Sequence, residues 1–150
     1  MLKFADYDIV FQELPSEVTL ALNLSLCPNG CPGCHSAGLM EDIGEELTES
    51  ALDNLVAKYL SSITAVCFMG GDNDKARVES LAEYIKTKYN LKVGWYSGQD
   101  AMPERPELFD YVKLGPYCEA LGSLKEPTTN QRLYKYEGSE WVDITSVFWK

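Results

Sequence analysis

The sequence predicts an α/β fold built on an open parallel sheet or a partial (βα) barrel, finished by a C-terminal β-hairpin-like segment. Three observations predict it. Apolar runs of strand length alternate with stretches of helical periodicity, glycines stand at the ends of the apolar runs, and the last stretch reads strand, turn, strand.

Residues 18–26, VTLALNLSL, place Val18, Leu20, Leu22, Leu24 and Leu26 on one face with small or polar residues between them, the period of a strand. In TESALDNLVAKYLSS, Leu52, Leu55, Val56, Tyr59 and Leu60 fall on one helical stripe, with Thr48 as N-cap. ITAVCFMGGD is a short, almost wholly apolar run that stops at two glycines, as buried parallel strands do. DKARVESLAEYIKTKYN then carries Val78, Leu81, Ala82, Ile85 and Tyr89 at helical spacing, with Asp72 or Asp74 as cap. LKVGWYSG is a third strand, PELF a short helical turn, and DYVKLGPY a fourth strand ended by Gly115-Pro116. This order of elements argues for parallel strands joined by right-handed crossovers. QRLYKYEG and SEWVDITS flank a Gly138-Ser139 turn and predict the closing hairpin.

A chain of 150 residues suits one domain, taken here as 1–150, and no repeat or linker divides it. A closed eight-stranded (βα) barrel takes about 250 residues, so the sheet is expected to be open or only part of a barrel. The formal charge of −10 argues against binding to nucleic acid or to an anionic membrane, both of which need lysines and arginines on phosphate. The opening MLKFADYDIV has neither the basic start nor the apolar core of a signal peptide, which predicts a cytoplasmic location where thiols stay reduced.

Three of the five cysteines, Cys27, Cys31 and Cys34, fall in CPNGCPGCH directly after the first predicted strand. A structural zinc site wants four ligands, and His35 is too close in sequence to complete the tetrahedron without strain, which makes zinc the weaker fit. Cys31 and Cys34 form a CxxC redox pair, a reading that leaves Cys27 without a role. An iron-sulfur cube takes one cysteine per iron; with three, one iron keeps an open position for a substrate or cofactor. Cys67, mid-strand, and Cys118, after a Gly-Pro turn, read as packing residues.

CxxxCxxC after the first strand of an open α/β sheet resembles the radical S-adenosylmethionine (SAM) superfamily. The closer resemblance is to the small activating proteins of anaerobic ribonucleotide reductase. Five segments carry it: CPNGCPGCH, MGGDND from Met69 to Asp74, WYSG from Trp95 to Gly98, KLGPY from Lys113 to Tyr117, and TTNQR from Thr128 to Arg132. They cover most of the chain but not Leu133 to Lys150. Many superfamily members carry an aromatic residue before the third cysteine where this chain has Gly33; Pro-Gly there is typical of the activating subgroup.

The resemblance implies a sheet of radical SAM type, with a 4Fe-4S cluster on Cys27, Cys31 and Cys34 and SAM chelated to the open iron. It implies that Gly70, Gly71 and Asp72 receive the methionyl amino group, where glycines let the backbone approach and the acid accepts a charge-assisted hydrogen bond. The reduced cluster would cleave SAM to a 5'-deoxyadenosyl radical that takes hydrogen from a glycine of the anaerobic ribonucleoside-triphosphate reductase, with an electron donor such as flavodoxin. A fourth thiolate would fill the position SAM needs. His35, beside the third cysteine, is a candidate contact for adenine or cluster, or an ordinary loop residue. Ser97 is a candidate SAM contact. An inward Lys113 would need an anion, such as the SAM carboxylate or a partner loop, whereas an edge lysine would reach solvent. Asn130, Gln131 and Arg132 are candidates for the partner, the cofactor or the turn. Alternatives are an activase of another glycyl radical enzyme, such as pyruvate formate-lyase, a cluster-bearing electron carrier, and a non-catalytic zinc-binding interaction domain.

Overall fold

The computed structural model describes residues 2–25, 44–116, 118, 120–137 and 140–149. The cysteine segment with Cys27, Cys31, Cys34 and His35, and the Gly138-Ser139 turn, lie outside the described residues. In chain order the elements are β1 Lys3–Val10, β2 Thr19–Leu24, β3 Glu45–Glu46, α1 Glu49–Tyr59, β4 Ala65–Met69, α2 Lys75–Lys88, β5 Lys92–Tyr96, a 3-10 turn Pro106–Leu108, β6 Tyr111–Leu114, β7 Arg132–Glu137, β8 Glu140–Asp143 and a 3-10 turn Thr145–Phe148.

The strands make one open sheet in the order β3-β1-β2-β4-β5-β6-β7-β8. The expected parallel sheet is its centre only: β2, β4, β5 and β6 pair in parallel, while β1 and β3 on one side and β7 and β8 on the other are antiparallel. The fold is therefore α/β with a mixed sheet. The reason lies in the connections. Parallel neighbours need a crossover, and α1 and α2 are carried by two of them, whereas β1 and β2 are joined by a short loop and only two residues separate β7 from β8 in sequence.

Strand β1 is the element that sequence periodicity does not disclose. A register shift between Phe4 and Asp6 breaks its alternation, and Phe4, Tyr7 and Ile9 reach the core only in part. The expected caps are present: Thr48 Oγ1 accepts from Ala51 N at 3.0 Å, and of the two acids before α2 it is Asp74 that caps, accepting from Arg77 N at 3.3 Å.

Alternation along the strands sorts the core into two layers. Leu20, Leu22, Val66, Phe68, Val93, Trp95 and Val112 join Leu52 and Val56 of α1 and Val78, Leu81, Ala82 and Ile85 of α2 in the larger cluster. Leu60, expected on the α1 stripe, is instead exposed. On the opposite face Ala65, Cys67, Tyr111 and Leu133 pack with Leu14 from the β1–β2 loop and with Ile144 and Phe148 after β8. Among the described residues no helix is long and apolar enough to cross a membrane.

The two helices are joined by a polar clamp. Asp53 of α1 accepts from the hydroxyls of Tyr84 and Tyr89, both at 2.6 Å, and from Lys88 Nζ at 3.0 Å. The two phenols first, and Lys88 after them, hold the Asp53 carboxyl down from 3.8 to about 2. A depressed folded-state value contributes stability that is full above the unfolded value and is lost as the pH falls through it toward the folded one. Unfolding followed against pH should therefore show a loss of stability between pH 4 and about 2 that Asp53→Asn removes. Equal slopes in the two proteins would dismiss the clamp.

Candidate functional site

The carboxyl ends of β4, β5 and β6 are where an open α/β sheet receives ligands, because the loops leaving parallel strands diverge there. The residues singled out from sequence, apart from those of the cysteine segment, gather at this edge. Asn23 of β2 stands opposite Met69 of β4, so Gly70, Gly71 and Asp72 leave the sheet beside the chain that runs on from β2 toward Cys27.

The glycine pair is dictated by backbone and space. Gly70 has φ +106° and Gly71 φ +93°, conformations L side chains rarely adopt. A Cβ on Gly71 would lie 2.6 Å from Val78 Cγ2 and 2.9 Å from Leu24 Cδ1, so α2 and β2 can close on the turn only with hydrogen there. At Gly70 the nearest atom would be the Leu24 carbonyl oxygen at 3.4 Å, an ordinary contact. Gly70 is also tied from behind: its N–H donates to Tyr96 O at 2.9 Å, and the Trp95 indole N–H donates to its carbonyl at 2.7 Å. Trp95 itself is buried and stacked on Phe109, with ring centroids 5.5 Å apart.

Asp72 is buried, and both its oxygens are engaged. Ser97 Oγ donates to Oδ1 at 2.6 Å and Gly98 N to Oδ2 at 2.9 Å. Lys113 is decided in favour of the inward reading. Its strand lies between β5 and β7 rather than at an edge, Val112 and Leu114 join the helix-side core, and the lysine is only 8% exposed. Its Nζ donates to Ser97 O and Gly115 O, each at 3.0 Å, and lies 5.8 Å from the centre of the Tyr96 ring.

The remaining candidates brace the edge. Asn130 Nδ2 donates to Pro116 O at 3.1 Å and Gln131 Nε2 to Gly115 O at 3.4 Å, holding the turn after β6. Arg132 lies over the Trp149 ring and within 3.8 Å of Asp143. Cys67 is fully buried, and burial, with the Glu13 charge behind it, pushes its thiol up, as befits a packing residue. Cys118 is half-buried and pairs through its backbone with Gly122. Sequence reasoning missed the Gly98 amide and the Gly115 carbonyl. Both are main-chain groups, and the signal for each was only a glycine at a strand end.

The donor set suits a zwitterion. A carboxylate at Asp72 is the group that accepts from an ammonium, and an inward Lys113 ammonium suits a carboxylate. Three thiols on the neighbouring segment are a soft set of the kind iron-sulfur clusters take. Compared with family models, with curated proteins and with solved structures, the chain matches none of them.

Proposed function

We propose that the chain is an activating enzyme of radical SAM type that generates a glycyl radical on a separate protein, the anaerobic ribonucleoside-triphosphate reductase. The observation that carries the reading is one of adjacency. The buried acid of the Gly-Gly-Asp turn and the strand leading to Cys27, Cys31 and Cys34 leave neighbouring parallel strands at the same edge of the sheet. On this reading the sheet is the open part of a (βα) barrel of radical SAM type, and its helix-free face is the inside.

Held by the three cysteines, a 4Fe-4S cluster with SAM on its open iron would supply the one-electron cleavage and the hydrogen abstraction. The chain's own residues bind and orient. Asp72 accepts from the methionyl ammonium, and Lys113 faces the carboxylate, so the amino-acid end of SAM is received by opposite charges in a site of low exposure. The glycines at 70 and 71 bring main chain rather than side chain to the ligand. Residues 11–17 and 144–148 cover part of the helix-free face and leave the carboxyl edge as the approach for a partner's glycine loop. The electron would come from a small donor such as flavodoxin.

The test is anaerobic. Protein reconstituted with iron and sulfide, given SAM and dithionite, is expected to yield 5'-deoxyadenosine, and with the reductase present a glycyl radical signal in electron paramagnetic resonance. Cys31→Ala should abolish both. Cluster-loaded protein that produces neither, even with the reductase, would refute the reading.

A further inference from the structure

We propose that Ser97 is a positioning residue, a hub that fixes the Asp72 carboxylate and the Lys113 ammonium as one unit, rather than a group that binds SAM directly. The inference rests on the reading of this edge as a SAM site. It departs from the expectation that Ser97 touches the cofactor.

Four charged residues among those described are buried: Glu17, Glu79, Asp72 and Lys113. Glu17 serves the amino ends of the strands, and Glu79 accepts from Arg105 N at 2.8 Å beside α2. Asp72 and Lys113 are the two at the carboxyl edge, and both are held by Ser97. Its side chain takes the acid, donating to Asp72 Oδ1 at 2.6 Å. Its main chain takes the lysine twice: Ser97 N donates to Lys113 O at 2.9 Å, and Lys113 Nζ donates to Ser97 O at 3.0 Å.

The chemistry of a hydroxyl decides what is left for a ligand. Serine has one proton to give, and here it is given to Asp72; one lone pair accepts from Gln99 N at 3.1 Å. With 1% exposure, Ser97 presents no surface. Asp72 is gripped at both oxygens by donors from consecutive residues, Ser97 and Gly98, which fixes the plane of the carboxylate as one bond could not. An ammonium then meets an acceptor whose direction is set before it arrives, and no binding energy goes into ordering the acid. Without the hydroxyl, Asp72 Oδ1 would lose the 2.6 Å bond that, with the Gly98 amide on Oδ2, sets the plane of the carboxylate.

The experiment measures SAM binding without turnover, by equilibrium dialysis of isotopically labelled SAM against cluster-loaded protein in the absence of reductant. Wild type, Ser97→Ala, Ser97→Thr, Asp72→Asn and the Ser97→Ala/Asp72→Asn double variant are compared at matched iron content. Ser97→Ala is expected to bind about tenfold more weakly, the scale of a lost hydrogen bond to a charged group. Ser97→Thr, which keeps the hydroxyl, should recover most of the affinity. In the Asp72→Asn background Ser97→Ala should change little, because a residue acting through Asp72 has nothing left to position. Should the alanine variant not fold, Ser97→Cys, with its weak donor, takes its place and should lose affinity in the same direction. Wild-type affinity in Ser97→Ala, or an equal loss with and without Asp72, would overturn the proposal and leave the SAM site standing. Cluster-loaded wild type that binds no SAM would overturn the functional reading and this proposal with it.

Discussion

Gly71→Ala is expected to lower the stability of the fold by about 4 kcal/mol, roughly half from a side chain at positive φ and half from overpacking. The new methyl would lie 2.6 Å from Val78 of α2 and 2.9 Å from Leu24 of β2, so it drives apart the helix and the strand that meet over the turn. Gly70→Ala is the matched control. It shares the positive φ but meets its nearest atom at 3.4 Å, and should cost about 2 kcal/mol from strain alone. Denaturant unfolding of both variants measures the difference through the midpoint at unchanged slope. Equal losses would mean that packing against Val78 and Leu24 does not constrain the turn. A change of about 4 kcal/mol is a large share of the 5–15 kcal/mol that holds a domain together, so the fold by itself demands glycine at this position.

Glu17→Ala should destabilise by about 3 kcal/mol, because it strips a buried carboxylate from donors that were bonded to a charge. Glu17 is 8% exposed; it accepts from Thr64 Oγ1 at 2.8 Å, Lys92 Nζ at 3.0 Å and the Tyr111 hydroxyl at 3.2 Å. Those residues stand at or just before the starts of β4, β5 and β6, so one side chain ties the β1–β2 loop across the amino ends of three strands. Burial first, and the Glu17 charge next, raise the Tyr111 phenol above its ordinary value. Glu17→Gln, which keeps the size and one acceptor oxygen, should lose less than Glu17→Ala in the same unfolding measurement. Its amino edge lies at the opposite end of the sheet from Asp72, so on the proposed function SAM affinity per folded molecule should be unchanged in either variant. A variant as stable as wild type would show that the network merely accompanies the packing of Leu14.

Each parallel strand of the centre was legible from its own residues. The alternation of Leu20, Leu22 and Leu24, the apolar run ending at Gly70-Gly71, and the stripe Val78, Leu81, Ala82, Ile85 each need only local sequence to be read. So did the closing hairpin, because turn chemistry and period-2 patterning are short-range signals. Strand β1 was not legible, since its bulge shifts the pattern at the point where alternation would be counted. The mixed character of the sheet was hidden for a related reason: pairing direction depends on which strand lies alongside, and residue periodicity does not record it.

By itself the sequence determined that this is an α/β chain with a thiol triplet after one strand and a Gly-Gly-Asp turn after the next, because those signals lie within stretches of ten residues or fewer. Only the tertiary structure decided what the polar residues at the sheet edge do. Lys113 is inward because β7 pairs beyond β6 and takes the edge away from it. Ser97 faces an acid 25 residues earlier because β4 and β5 run parallel and in register, Met69 opposite Tyr96, which brings the chain after one strand alongside the chain after the other. A hydroxyl donates to whatever the packing sets before it, and that is a property of the assembled sheet, not of any segment.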